Sequence, residues 1–188
     1  GRRDTPAEYT LAFVNELVAD QLSIEAIHRL YTGVTPDELM TDLASRFDIE
    51  PLESPLGPDT LARMVDLGRL LLVTGPDHSG RCPARATGVH AHWLIPKPGA
   101  FDQLRALDGA WLEYALADSP AQVDYQHGLA GVLDAVATGR AAAGVLIRPT
   151  SLTEITRTAR QGLLMPPKST FFTPKLRTGF VLRSAVEE

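Results

Sequence analysis

The chain of 188 residues carries 18 Lys and Arg against 23 Asp and Glu, a formal charge of −5 at pH 7, with 44% hydrophobic and 22% charged residues. Such a chain can bury one core of ordinary size or two small ones. Its acidic balance argues against nucleic acid or an anionic membrane as partner, since both ask for a basic surface. A single cysteine, Cys82, excludes an internal disulfide, and no apolar run approaches the ~20 residues of a membrane span. With no signal peptide at its start, the expected compartment is the cytoplasm.

Residues 1–8 read as a linker or a cut end, and residues 9–188 as a single domain. Residues 9–17, apolar with aromatics, predict a largely buried strand. Residues 23–31 alternate well enough for a second strand, with Ile24, Ala26, His28 and Leu30 in one parity class. Thr35-Pro36-Asp37-Glu38 is a helix start: an N-cap threonine, proline at the first helical position and acids in the first turn. Leu39, Met40, Leu43 and Phe47 follow at helical spacing. Residues 49–52 predict a short edge strand, where Pro51 is tolerated.

Asp59-Thr60 caps a second expected helix ending near Gly68, and residues 70–74 read as a strand. Residues 77–87, polar and rich in Gly, Pro and Arg, predict an exposed loop before a strand over 88–96. Residues 101–117 place Phe101, Leu104, Leu107, Trp111, Leu112 and Leu116 at helical spacing, with a break expected at Gly109. Strand, helix and strand follow over 123–125, 129–138 and 141–149. Ser151 to Glu154 has the form of a capping box opening a helix that ends at Gly162. A last strand is expected over 179–182. Strands alternating with helices of about 10–15 residues predict an α/β or α+β fold, a mixed β-sheet flanked by helices.

The densest run of chemistry lies just before that last strand: Met165-Pro166-Pro167-Lys168-Ser169-Thr170-Phe171-Phe172-Thr173-Pro174-Lys175. Two prolines stiffen a turn that then presents two ammonium groups and two hydroxyls, a form suited to an anion. Gly162 to Lys168-Ser169 nearly fits the spacing of a phosphate-binding P-loop. Pro167 stands where the second glycine belongs, however, and a P-loop cradles phosphate with backbone N–H groups that prolines lack. Phosphate contact here would run through side chains, and the plain alternative is a rigid structural loop.

This run, followed by Gly179-Phe180-Val181, resembles the C-terminal signature of the DUF1015 family. Phe13-Val14-Asn15-Glu16-Leu17 and Leu22-Ser23-Ile24-Glu25-Ala26-Ile27-His28-Arg29-Leu30 resemble a second segment of that family, with Ala26-Ile27 where it usually has Pro-Thr. Members carry, upstream of the Asn15 region, an Asp-Gly-His-His-Arg-Tyr motif that links them to the ParB and sulfiredoxin-like superfamily, which includes free-serine kinases. That motif does not occur in this sequence, so the chain resembles the C-terminal half of such a protein.

The resemblance implies a phosphate- and substrate-binding half of a small-molecule phosphotransferase. Lys168, Lys175 and Arg29 would hold phosphate oxygens, Ser169 and Thr170 would orient them, and His28 and Asn15 would complete the site. The catalytic base would lie in the other half, leaving this one inactive alone. No cofactor is fixed; a nucleotide or pyrophosphate with Mg is the form the resemblance suggests, and a small anionic ligand the expected partner. The alternative is a non-catalytic ligand-binding or interaction domain that forms a homodimer through an exposed sheet edge.

Spacing marks two further features. His90-x-His92 puts two imidazoles on one strand face about 7 Å apart, but zinc needs a third ligand. Asp77, His78 and Cys82 could reach from the preceding loop. With no second tight ligand pair, no metal site is expected. His127 reads as a surface residue at a helix N-terminus rather than a base.

Overall fold

The computed structural model describes residue 12, residues 23–75, residues 88–173 and residue 175. The chain divides into two compact units, Ile24–Phe171, and Gly1–Ser23 with Phe172–Glu188. In chain order the strands are β1 (Ser23–Glu25), β2 (Ile27–Thr32), β3 (Phe47–Pro51), β4 (Leu70–Thr74), β5 (His90–Pro96), β6 (Gln122–His127), β7 (Ala143–Leu146) and β8 (Phe171–Thr173). The helices are α1 (Pro36–Leu43), α2 (Pro58–Leu67), α3 (Asp108–Ala115), α4 (Leu129–Ala137) and α5 (Leu152–Arg160).

Six strands form one sheet in the order β3-β5-β4-β7-β2-β6, while β1 and β8 form a two-stranded sheet. Every recorded pairing in the larger sheet is antiparallel, with Arg29 opposite Tyr125 on one side and Val145 on the other. The fold is α+β, a helix-flanked sheet of the expected kind.

Helices cover both faces of the central strands β4 and β7, which carry one polar side chain between them, Thr74. β4 and β7 are buried throughout, as a strand must be when neither face meets water. On one face Leu39 and Leu43 of α1 and Leu112 of α3 pack with Tyr31, Phe47, Leu72, Leu94 and Val145. On the other, Met64 of α2 and Val132, Ala135 and Val136 of α4 pack with Leu30, Leu71, Val73 and Leu146. Gly144 makes the second layer fit: a Cβ there would sit 2.4 Å from Val132 Cγ1.

Local signals set several boundaries. The Thr35 hydroxyl accepts from Glu38 N–H while the Glu38 carboxylate accepts from Thr35 N–H, a full capping box with Pro36 at the first helical position. α2 closes on Gly68 at φ +66°, a left-handed cap that glycine adopts freely.

Elsewhere the structure corrects the sequence reading. Residues 23–31 are two strands in different sheets, interrupted at Ala26, which packs in the α1–α3 layer, whereas Leu30 belongs to the other. Phe47 opens β3 rather than continuing α1. α2 begins at Pro58 behind Gly57, ahead of the expected Asp59-Thr60 cap; the Thr60 hydroxyl accepts from Gly57 N–H instead. The helix expected from residue 101 starts only at Asp108, and Gly109 lies inside it. Phe101 sits in a turn, stacked on Trp111 with ring centroids 4.9 Å apart and 5.1 Å from Phe47, so aromatic packing supplied the helical spacing.

At α5 the Ser151 hydroxyl accepts from Glu154 N–H at 3.2 Å, but the Glu154 carboxylate turns towards Arg157 at 3.6 Å. Apart from residue 12, the strands expected over 9–17 and 179–182 and the loop over 77–87, including Asp77, His78 and Cys82, lie outside the described residues.

Candidate functional site

The run at 165–170 follows α5, which ends at Arg160, and leads into β8. A helix, not a strand, precedes it, and Pro166 and Pro167 offer no N–H, so a P-loop cradle is absent from these described residues. The segment is instead a tight turn with Lys168 at φ +55°, unusual for a residue with a side chain. The Ser169 hydroxyl donates to Pro166 O at 2.7 Å, and Ser169 O accepts from the Thr150 hydroxyl at 2.9 Å. The Lys168 side chain is exposed, while Ser169 and Thr170 are half-buried. Ser169 therefore spends its proton on holding the turn, and Lys168 carries the turn's charge outward.

Arg29 supports this turn from inside the molecule. Its guanidinium is 2% exposed on a central strand, not a fork open to solvent. Nη1 donates to Ile27 O at 2.5 Å and makes a longer contact, 3.5 Å, to Lys168 O. The guanidinium lies 4.7 Å over the Tyr125 ring, which sits directly opposite on β6. Nη2 is buried with no partner, and a Cβ on Gly109 would come within 2.8 Å of it. Burial pulls the guanidinium below its ordinary value, while Tyr125, Tyr31, Glu113 and Asp108 act the other way; arginine stays charged regardless. Arg29, Tyr31, Gly109, Glu113 and Tyr125 line a cavity of about 190 Å³. Burial likewise raises the Tyr31 phenol, against the pull of Arg29.

Neighbouring residues on a strand face opposite ways, and this separates His28 from Arg29. Arg29 lines the α3 side, whereas His28 lines a different cavity of about 320 Å³ with Leu61 and Val65 of α2. His28 Nδ1 accepts from Ile147 N–H at 3.2 Å, so its proton sits on Nε2. Burial, with smaller contributions from His127 and Arg29, lowers its pKa to about 4. It is a neutral, hydrogen-bonded core histidine. His28 and Arg29, expected to serve one site, therefore line different cavities.

Of the remaining expected site residues, Asn15 lies outside the described residues and Lys175 belongs to the unit of Gly1–Ser23 with Phe172–Glu188. His127 is the last residue of β6 rather than part of α4; its ring stacks on Phe171 at 4.2 Å and its Nε2 lies 2.6 Å from the Glu25 carboxylate. The structure thus joins Lys168, Ser169 and Arg29 around one turn.

Sequence reasoning missed the frame beneath this turn. Asp108, buried at the first position of α3, receives Arg148 Nε and Nη2 in a two-pronged pair and also Arg148 N–H at 2.8 Å. Arg105 Nη2 donates to Leu164 O at 3.1 Å and its Nη1 to the Thr158 hydroxyl at 3.2 Å, tying the segment before the turn to the body. An acid at a helix start and an arginine after the most apolar strand were both visible. Their proximity follows only from the packing of α3 against the sheet face that includes β7.

No protein-family model matches the sequence, and no curated protein matches it. Among solved structures the chain is similar in fold to free serine kinase in complex with AMP. One such structure, a point variant, gives a TM-score of 0.53 at 10% identity, covering 86% of this chain and 58% of that one. The unsubstituted enzyme gives 0.51 at 8% identity with the same coverage. The likeness is one of fold, and the chain spans 58% of the length of those kinases.

Proposed function

We propose that the chain is the phosphate- and substrate-binding portion of a small-molecule phosphotransferase of the DUF1015 type, with a nucleotide or pyrophosphate and Mg as the phosphoryl source. The observation that carries this reading is the Lys168 turn. An exposed ammonium is presented by a strained backbone whose carbonyl makes a long contact, 3.5 Å, to the buried Arg29. Strain sustained by a buried tether is a feature that clusters at binding sites. Phosphoryl transfer asks chiefly for positioning and for neutralising negative charge, and a lysine serves as a mobile point charge towards phosphate.

In this reading Lys168 contacts the phosphate and Arg29 positions Lys168 rather than forking onto the ligand. Ser169 holds the turn. The fold likeness to a kinase that binds AMP supports a nucleotide as ligand, and the base and Mg ligands come from outside this chain.

The Ser169–Pro166 bond favours a second reading, in which the turn is a structural connection and the domain binds no phosphate. Thermal-shift titration with phosphate, pyrophosphate, AMP, ADP and ATP separates the two. A ligand at 100 times its dissociation constant stabilises by about 2.7 kcal/mol. The proposal expects a shift that Lys168→Ala removes. No shift with any of the five, or an equal shift in the variant, would leave the turn structural.

A further inference from the structure

A cavity of about 640 Å³, apart from the Lys168 turn, is lined by the first turn of α1 (Thr35, Asp37), by Thr74 and by His90 and His92 of β5. The two histidines alternate with Ala91 and share the strand face of Leu94, which packs against α1. Each has one ring nitrogen shielded from water with no hydrogen-bond partner: Nε2 of His90 and Nδ1 of His92. A buried polar atom without a partner is costly to a fold. Two such atoms on one strand face, at the wall of one cavity, ask for a ligand that satisfies both.

We propose that His90 and His92 bind a divalent transition metal of the zinc, nickel and copper class. Such ions prefer imidazole, and the spacing of two residues on a strand lets both rings approach one ion. The Asp37 carboxylate lines the same cavity and offsets the ion's charge. Among the described residues no cluster of three His, Cys, Asp or Glu side chains stands ready to hold a metal. The described residues therefore supply two ligands, His90 and His92. The site differs in kind from any Mg bound with a phosphate substrate, because Mg selects oxygen ligands.

The test uses the untagged full chain, titrated separately with zinc, nickel and magnesium chlorides by calorimetry, beside His90→Gln and His92→Gln. Zinc and nickel are expected to bind, with affinity falling at least about tenfold in each variant, and magnesium is expected not to bind. If either variant fails to fold, electron paramagnetic resonance of the copper-loaded original chain decides, through the hyperfine pattern of two imidazole nitrogens. Absence of zinc and nickel binding, equal binding by both variants, magnesium binding as tight as zinc, or a copper signal with fewer than two nitrogens would each overturn the proposal.

Discussion

Lys168 holds a backbone angle that its own side chain disfavours, at φ +55°. A left-handed angle costs an L-residue roughly 1–2 kcal/mol, and glycine escapes most of that while gaining freedom in the unfolded chain. Lys168→Gly is therefore expected to leave stability unchanged or raise it by up to about 1 kcal/mol, read as the urea midpoint, while Lys168→Ala keeps the strain. A clear loss of stability in the glycine variant would show that the lysine side chain, not the tether from Arg29, maintains the turn. His28 gives a second prediction at this scale. Its pKa is 6.5 unfolded and about 4 folded, so the unfolded chain binds the extra proton first. The stability that follows from keeping His28 neutral is complete above pH 6.5 and is lost as pH falls towards 4. The amount is about 3 kcal/mol. His28→Asn, which can still accept from Ile147 N–H, is expected to flatten this fall in urea titrations across that range; an unchanged slope would assign the acid sensitivity elsewhere. The Pro-Pro-Lys-Ser run was legible as a turn because proline chemistry is local. Assigning His28 and Arg29 to one site went against the strand's own rule, since the strand already predicted there sends adjacent side chains to opposite faces.

Helices and strands set by local chemistry were legible, and those set by packing were not. The Thr35 cap and the buried run of β7 were both read from sequence. The helix over 101–107 was not real, because Phe101, Leu104 and Leu107 find their apolar partners from turns, and Arg105 O accepts from Trp111 Nε1 at 3.0 Å. Periodicity reports which residues are apolar, not which hydrogen bonds the backbone makes. The close approach of α4 to the sheet rests on Gly144, and this can be tested directly. An added methyl would meet Val132 Cγ1 at 2.4 Å and Leu30 Cδ2 at 3.5 Å in a fully packed layer. Gly144→Ala should destabilise by about 1–3 kcal/mol, the usual cost of overpacking. Combining it with Val132→Ala should recover part of that loss, because the two changes share one space. Additive losses in the double variant would mean that the Gly144 effect lies in the strand backbone.

The order of the six strands was the least legible feature, since β7 reaches its place between β4 and β2 only by pairing far along the chain. That order also leaves β3 and β6 as the edges, and it bears on the homodimer expected through an exposed edge. Edge strands offer unpaired backbone groups to other chains unless something blunts them. β3 ends in Pro51, which has no N–H to give. On β6, Tyr125 N–H donates to the Asp124 carboxylate at 2.7 Å and is not available to a partner strand. Two copies paired antiparallel across β6 with Asp124 opposite Asp124 would also bring like charges together, which is unfavourable. The chain is therefore expected to remain monomeric at micromolar concentration through this edge. Asp124→Thr removes both the charge and the cap and adds a residue that favours strands. It should show concentration-dependent association in sedimentation velocity where the original chain shows none. A dimer of the original chain that Asp124→Thr leaves unchanged would show that the copies meet elsewhere and that β6 is not guarded by its aspartate.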